Sequence, residues 1–208
     1  MLDNKLGINF STDLALVEER ISKKKAVMLF ANGYEEVEAL MTVDLLKRAG
    51  VDIRLVSIND DMTVTGSHGI SVAMDTKLSR IQLKEDAIII PGGMPGTMNL
   101  GVDVAVTGAL KQMNRDGKIV AAICAAPSVL GKCGILEGKK ATCYPGFEDK
   151  LTGAEIVNKA VVTDGNVITS RGLGTSMEFG FELIKKLISE EKAEEVREQI
   201  VFMYDLLK

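Results

Sequence analysis

Three apolar runs of strand length, each closed by a loop of small or polar residues, constrain this chain more than any other feature. They are Ala26-Val27-Met28-Leu29-Phe30-Ala31, Ala87-Ile88-Ile89-Ile90 and Ile119-Val120-Ala121-Ala122-Ile123. A strand that is apolar at every position, rather than at alternate ones, is buried on both faces and needs a covering layer on each side. Between the runs, Glu35–Ala49 and Ala105–Asn114 carry apolar residues at helical spacing, and Val51–Ile58 alternates as a strand. The alternation of strand and helix predicts a parallel sheet with helices on both faces. It places the natural site in the loops at the carboxyl ends of the strands.

The other elements are shorter. Thr63–Met74 reads as a hairpin around Gly66 and Gly69. A helix follows Cys124 through about Leu130. Lys140–Thr142 and Ala160–Thr163 read as short strands, and Asp164-Gly165-Asn166 as the turn before strand Val167–Ser170. Thr175 is the expected cap of a helix over Met177–Ile188, and a last helix is expected over about Glu191–Leu206. Residues 12–22 carry Leu14, Val17 and Ile21 at helical spacing, so 1–22 reads as an N-terminal extension with a short amphipathic helix and 23–208 as the main domain.

Length and charge limit what such a domain does. At 208 residues the chain suits one domain, and with 4% aromatics and no tryptophan its core must rest on Val, Ile, Leu, Ala and Met. A net charge of −4, with Lys23-Lys24-Lys25 as the one basic cluster, argues against nucleic-acid binding, which needs a concentrated basic surface. No run approaches the ~18 apolar residues of a membrane span, and no secretory signal pattern is visible. Three cysteines at irregular spacing fit free thiols in a reducing, cytoplasmic setting.

Cys124, in Ala121-Ala122-Ile123-Cys124-Ala125-Ala126-Pro127, stands where the third strand meets the next helix. A tight connection there displays the side chain above the sheet, where amides and the helix field favour a thiolate; the alternative is a thiol packed at a strand end. Pro91-Gly92-Gly93-Met94-Pro95-Gly96, at another strand end, either offers amides to an oxyanion or is a plain turn. Glu35, Glu36 and Glu38 fall in the first turn of a helix, where acids complement the dipole; one that faces inward would instead share protons with a thiol, with its pKa raised by burial. No ligand spacing connects Cys133, Cys143 and His68, so no metal is expected.

Taken in order, Gly33-Tyr34-Glu35-Glu36-Val37-Glu38, Lys47-Arg48-Ala49-Gly50, Ile89-Ile90-Pro91-Gly92-Gly93, Ala121 to Pro127 and Thr169 to Phe179 resemble the DJ-1/ThiJ/PfpI superfamily, in its DJ-1/YajL-like branch. The resemblance covers about residues 25–203. It implies a flavodoxin-like three-layer α/β sandwich with a mainly parallel sheet and a nucleophile elbow. It places the reactive cysteine on Cys124, its acid partner on Glu38, and oxyanion-binding amides on Gly92, Gly93 and Ala125. Tyr144, His68, Glu35 and Arg48 are pocket or interface candidates, Tyr144 standing where DJ-1 has histidine and His68 at the position of an interface arginine.

The resemblance further implies a homodimer, no cofactor and a small aldehyde substrate. The expected activity is glyoxalase III-like conversion of methylglyoxal to lactate, or a related deglycase reaction on protein or nucleotide adducts. The alternative is an oxidative-stress sensor or redox-regulated chaperone that uses oxidation of Cys124. An older family name, ThiJ, attaches thiazole monophosphate biosynthesis to this branch.

Overall fold

A computed structural model of the chain describes residues 23–202. The expected helix over 12–22 lies outside the described residues. The apolar runs form the centre of a seven-stranded sheet. In chain order the elements that build the sandwich are β1 (Lys25–Phe30), α1 (Glu36–Arg48), β2 (Asp52–Ser57), β3 (Thr63–Thr65), β4 (Ser71–Ala73), β5 (Thr76–Lys77), β6 (Ala87–Ile90), α2 (Gly96–Val102), α3 (Val104–Arg115), β7 (Ile119–Ile123) and α4 (Pro127–Lys132). They continue as β8 (Lys140–Ala141), β9 (Glu155–Ile156), β10 (Val161–Asp164), β11 (Val167–Ser170), α5 (Ser176–Leu187) and α6 (Glu190–Gln199).

The sheet order is β10-β11-β7-β6-β1-β2-β5, parallel throughout except for the β10–β11 pair. Numbering only its principal parallel strands β1, β2, β6, β7 and β11 gives 2-1-3-4-5, the flavodoxin-like order, whose switch point lies between the first and third of them. The period of two divides each central strand between two cores. Ala26, Met28, Phe30, Ile89, Ala121 and Ile123 pack under α1 and α5, while Val27, Leu29, Ile88, Ile90, Val120 and Ala122 pack under α3 and α4. The chain is thus the expected three-layer sandwich. No helix among the described residues is long and apolar enough to cross a membrane.

The structure departs from the sequence reading in particular places. α2 was not expected; Gly96 and Gly101 weaken its helical pattern, and the turn is held by Thr97 N–H donating to Gly93 and Asn99 N–H to Pro95. The last helix stops at Gln199 instead of reaching Leu206. Val201 takes a left-handed φ of 57°, and Phe202 turns back, its N–H donating to Arg197 and its ring 5.2 Å from that of Phe181. Thr175 does not cap α5, because its hydroxyl is spent on Gly172 and Ser170. The β3–β4 hairpin is a separate two-stranded sheet, tied to the β1–α1 loop by Gly33 N–H to Thr65 O at 2.8 Å and Ser67 N–H to Tyr34 O at 2.8 Å.

Candidate active site

Three strand ends converge at the switch point: β1 delivers Glu38 on the first turn of α1, β6 delivers Gly92 and Gly93, and β7 delivers Cys124. Cys124 has φ of 65°, a conformation that costs a non-glycine residue energy and persists only when its surroundings impose it. Here the next strand and a loop impose it: Cys124 N–H donates to Ser170 O at 2.9 Å, and Tyr144 N–H donates to Cys124 O at 2.8 Å. The turn aims the thiol at Glu38 and leaves it partly exposed.

The three glutamates divide the work that sequence left open. Glu35 caps α1, its carboxylate accepting the Glu38 N–H at 2.7 Å. Glu36 turns to the hairpin, where it accepts from His68 N–H at 2.7 Å and pairs with His68 Nδ1 at 2.8 Å. Burial alone would raise Glu36, but the His68 side chain and the backbone N–H groups of the hairpin outweigh it and hold the carboxyl at about 2. Glu38 faces inward and is 1% exposed. Its Oε2 accepts from Gly92 N–H at 2.9 Å, and it also accepts from the Leu173 N–H and from the Cys124 thiol.

Electrostatics at this pair differ from the sequence expectation of a thiolate stabilised by a helix end. Burial, then the negative charge of Glu38 and its acceptance of the S–H proton, push Cys124 up to about 12. The N–H groups of Ala125 and Gly93, which donate to Sγ, pull the other way and do not prevail. α4 is only six residues long, so its field is slight beside the cost of desolvation. Glu38 itself is raised to about 7, by burial first and the charge of Glu35 second, against the hydrogen bonds it accepts. The arrangement is therefore a thiol poised to give its proton to a carboxylate whose pKa lies near neutrality, the range in which proton transfer in both directions is efficient.

Gly92 is a spacing residue for this pair. A Cβ there would lie 2.6 Å from Cys124 Cβ and 2.7 Å from Glu38 Oε2. Gly92→Ala is expected to displace one or both side chains and to lower stability by about 1–3 kcal/mol, read as a reduced urea midpoint. An unchanged midpoint would mean that the loop absorbs the methyl group.

The remaining candidates fall at graded distances. Tyr144 is 50% exposed, and its ring borders the Gly172 loop, which neighbours Glu38. His68 sits on the hairpin with Glu36, away from Sγ; the ligand atoms of Glu35, Glu36 and His68 lie within 4.8 Å, but both Glu36 oxygens are engaged by the hairpin. Arg48 is not a pocket residue: it pairs with Asp44 at 2.6 Å, ten residues and so about 15 Å along α1 from Glu38. Sequence reasoning missed the Leu173 N–H, because a loop amide carries no side-chain signal, and missed Glu36 as the anchor of the hairpin.

Comparison with known proteins places this geometry. Protein DJ-1 homolog B of Arabidopsis thaliana is 42% identical over 183 residues, which are 86% of this chain and 42% of that protein. The chain thus spans less than half the length of that relative. Deglycase PH1704 of Pyrococcus horikoshii is 38% identical over 151 residues, covering 71% of this chain and 89% of that protein. The solved structure of oxidized Toxoplasma gondii DJ-1 superposes with a TM-score of 0.84 at 35% identity, covering 87% of this chain and all of that one. Residues 24–186 match the family model described as DJ-1/PfpI, a span that runs from the first strand through most of α5 and contains each strand end that meets at Cys124, and on that match the chain belongs to the DJ-1/PfpI family.

Proposed function

We infer that this protein is a cofactor-independent cysteine enzyme that converts small 2-oxoaldehydes, methylglyoxal the simplest, to 2-hydroxy acids without glutathione. The observation that carries the reading is the hydrogen bond from the Cys124 thiol to a Glu38 carboxyl tuned to about 7, with two backbone N–H groups beside the sulfur. His68 is the chain's one histidine and is occupied on the hairpin, so no Cys-His pair forms and Glu38 handles every proton.

In this account Sγ bonds to the aldehyde carbon as its proton passes to Glu38, and the carbonyl electron pair moves to oxygen, beside the N–H groups of Gly93 and Ala125. Glu38 returns the proton to that oxygen, giving a hemithioacetal. Ionised again, it removes the hydrogen from C1 to form an enediol and delivers a proton to C2. C1 is thereby oxidised by two electrons and C2 reduced by two, with no external oxidant. The product is a 2-hydroxyacyl thioester on Cys124, which water cleaves to the acid while the thiol is restored. Cleavage of a related aldehyde adduct on protein or nucleotide would use the same first bond, and one relative bears the name deglycase.

The test is lactate formation from methylglyoxal in thiol-free deuterium oxide. The enediol route is expected to place solvent deuterium at C2 of lactate. Lactate that carries no deuterium and that Glu38→Gln forms at the full parent rate would contradict that route. Absence of lactate would favour a second reading, oxidation of the partly exposed Cys124 as a redox sensor, toward which the oxidized state of the Toxoplasma relative points. The homodimer expected of the family has a suitable face where exposed Val37 and Ile70 flank Glu36 and His68, and three free cysteines suit a reducing cytoplasm.

A further inference from the structure

A crease of about 590 Å³ lies between α3 and the segment that links β5 to β6, with Leu78, Ile81 and Leu83 on one wall and Val104, Ala105 and Gly108 on the other. Leu78, Ile81 and Leu83 are half-buried against the core beneath, so part of each side chain is left to the crease. Val104, at 84%, is the most exposed large apolar side chain among the described residues. A Cβ at Gly108 would meet nothing within 4 Å, so the middle of the α3 wall is bare backbone, a surface that a second helix can approach closely.

Both walls run in the same direction. α3 returns the chain from the end of β6 to the start of the parallel strand β7, and the opposite wall returns it from the end of β5 to the start of β6. The end of the crease marked by Lys84 and Gln112 therefore lies at the amino ends of the strands, where β1 begins. Two hydrogen bonds fix that neighbourhood: Lys25 N–H donates to Asp86 Oδ2 at 3.1 Å, and Asp86 N–H donates to Lys25 O at 2.8 Å. Residues 1–22 join the described chain at Lys23, beside this end of the crease.

We propose that the crease seats this chain's own residues 12–22, with Leu14, Val17 and Ile21 filling it. The match is one of length, pattern and charge. From Leu14 to Ile21 a helix measures about 10.5 Å, and from Val104 to Gln112 α3 measures about 12 Å. Ile21 is four residues from Lys25, a reach of up to about 14 Å, which sets Ile21 beside Leu83 and Leu14 beside Val104. At helical spacing Asp13 and Glu18 flank the apolar stripe on its two sides. The crease carries Lys84, with Arg80 next to Ile81; both are exposed, and neither pairs with a carboxylate among the described residues. This seat is independent of the chemistry at Cys124.

Amide exchange of the full chain, read by mass spectrometry, tests the seat. Residues 14–22 are expected to exchange at least about ten-fold more slowly than an unstructured chain of that sequence. Val104→Asp and Gly108→Gln are each expected to abolish that protection. Neither threatens α3: aspartate in a first helical turn complements the dipole, and glutamine is a better helix former than glycine at a position with room for it. Unchanged exchange in β1, β6 and β7 of each variant checks the fold. Glu18→Lys is expected to weaken the protection, and Lys84→Glu to restore it when the two are combined. Protection of residues 14–22 that survives both Val104→Asp and Gly108→Gln would overturn the proposal, as would its absence from the parent. Protection lost on about ten-fold dilution of the protein would also overturn it, giving the crease to a second copy of the chain.

Discussion

Cys124→Ser is expected to abolish lactate formation from methylglyoxal, with kcat/KM falling at least ~10³-fold while the fold is kept. Serine matches cysteine in shape, and the turn that strains position 124 is imposed by Ser170 and Tyr144 through backbone hydrogen bonds that any residue there can make. What changes is the nucleophile. A hydroxyl in the same burial is a far weaker acid than a thiol, and Glu38, tuned to about 7, is too weak a base to ionise it. A variant with native-like circular dichroism and unaltered urea midpoint but no turnover is the predicted result. Full turnover by Cys124→Ser would remove the sulfur from the mechanism, and the amides of Gly93 and Ala125 would then have to act without it.

Glu38→Gln is expected to lose about 10²–10⁴-fold in kcat, the usual contribution of a positioned acid–base group. It is also expected to become more stable at pH 8. Glu38 is raised from 4.5 to about 7 in the folded protein. Between those pH values the folded state binds more protons than the unfolded chain, so stability falls as pH rises from about 4.5 to about 7. Above pH 7 the ionised, buried carboxylate costs on the order of 3 kcal/mol, which a neutral amide avoids in part while still accepting from the Gly92 N–H. Thermal unfolding at pH 8 and pH 5 checks this: the midpoint of Glu38→Gln should exceed that of the parent at pH 8, and the advantage should shrink by pH 5. A variant less stable than its parent at pH 8 would mean that ionised Glu38 is held by stronger interactions than its hydrogen bonds to Gly92 and Leu173.

These two effects share a cause: the buried acid that suits proton transfer is a burden on the fold. Gly92 contributes by lying between the two side chains, close enough that a methyl group would collide with both. The burial that makes Glu38 useful comes from its place on the inner side of α1, while Glu35 and Glu36, on the same turn, are committed to the cap and the hairpin.

Much of this was legible in sequence because the signals were periodic. Continuous apolar runs marked β1, β6 and β7 as buried on both faces, and Glu35–Ala49 showed α1 through its spacing and the glycine that ends it. The position of Cys124 between an apolar strand and Pro127 marked a strand-to-helix turn, since proline is tolerated in a first helical turn. What escaped was set by tertiary contact. α2 carries too many glycines for its pattern to show. Past Gln199 the apolar residues Ile200, Val201 and Phe202 would continue the helical spacing, yet Phe202 packs on Phe181 and the helix ends at Gln199. The same holds for the site. Residue type suggested a thiolate, but burial beside a second acid, which no local sequence encodes, keeps the proton on sulfur, hydrogen-bonded to the Glu38 carboxylate.

The account turns on that proton, and the pH dependence of kcat/KM for methylglyoxal tests it most directly. In the unaltered enzyme the rate is expected to rise through a single inflection near pH 7, as Glu38 loses its proton and becomes able to receive one from Cys124. In Glu38→Gln the residual rate should lack that inflection. An inflection near pH 7 that persists in Glu38→Gln, or a parent enzyme whose rate falls as pH rises from 5 to 8, would contradict the pairing of Cys124 with Glu38 as nucleophile and base.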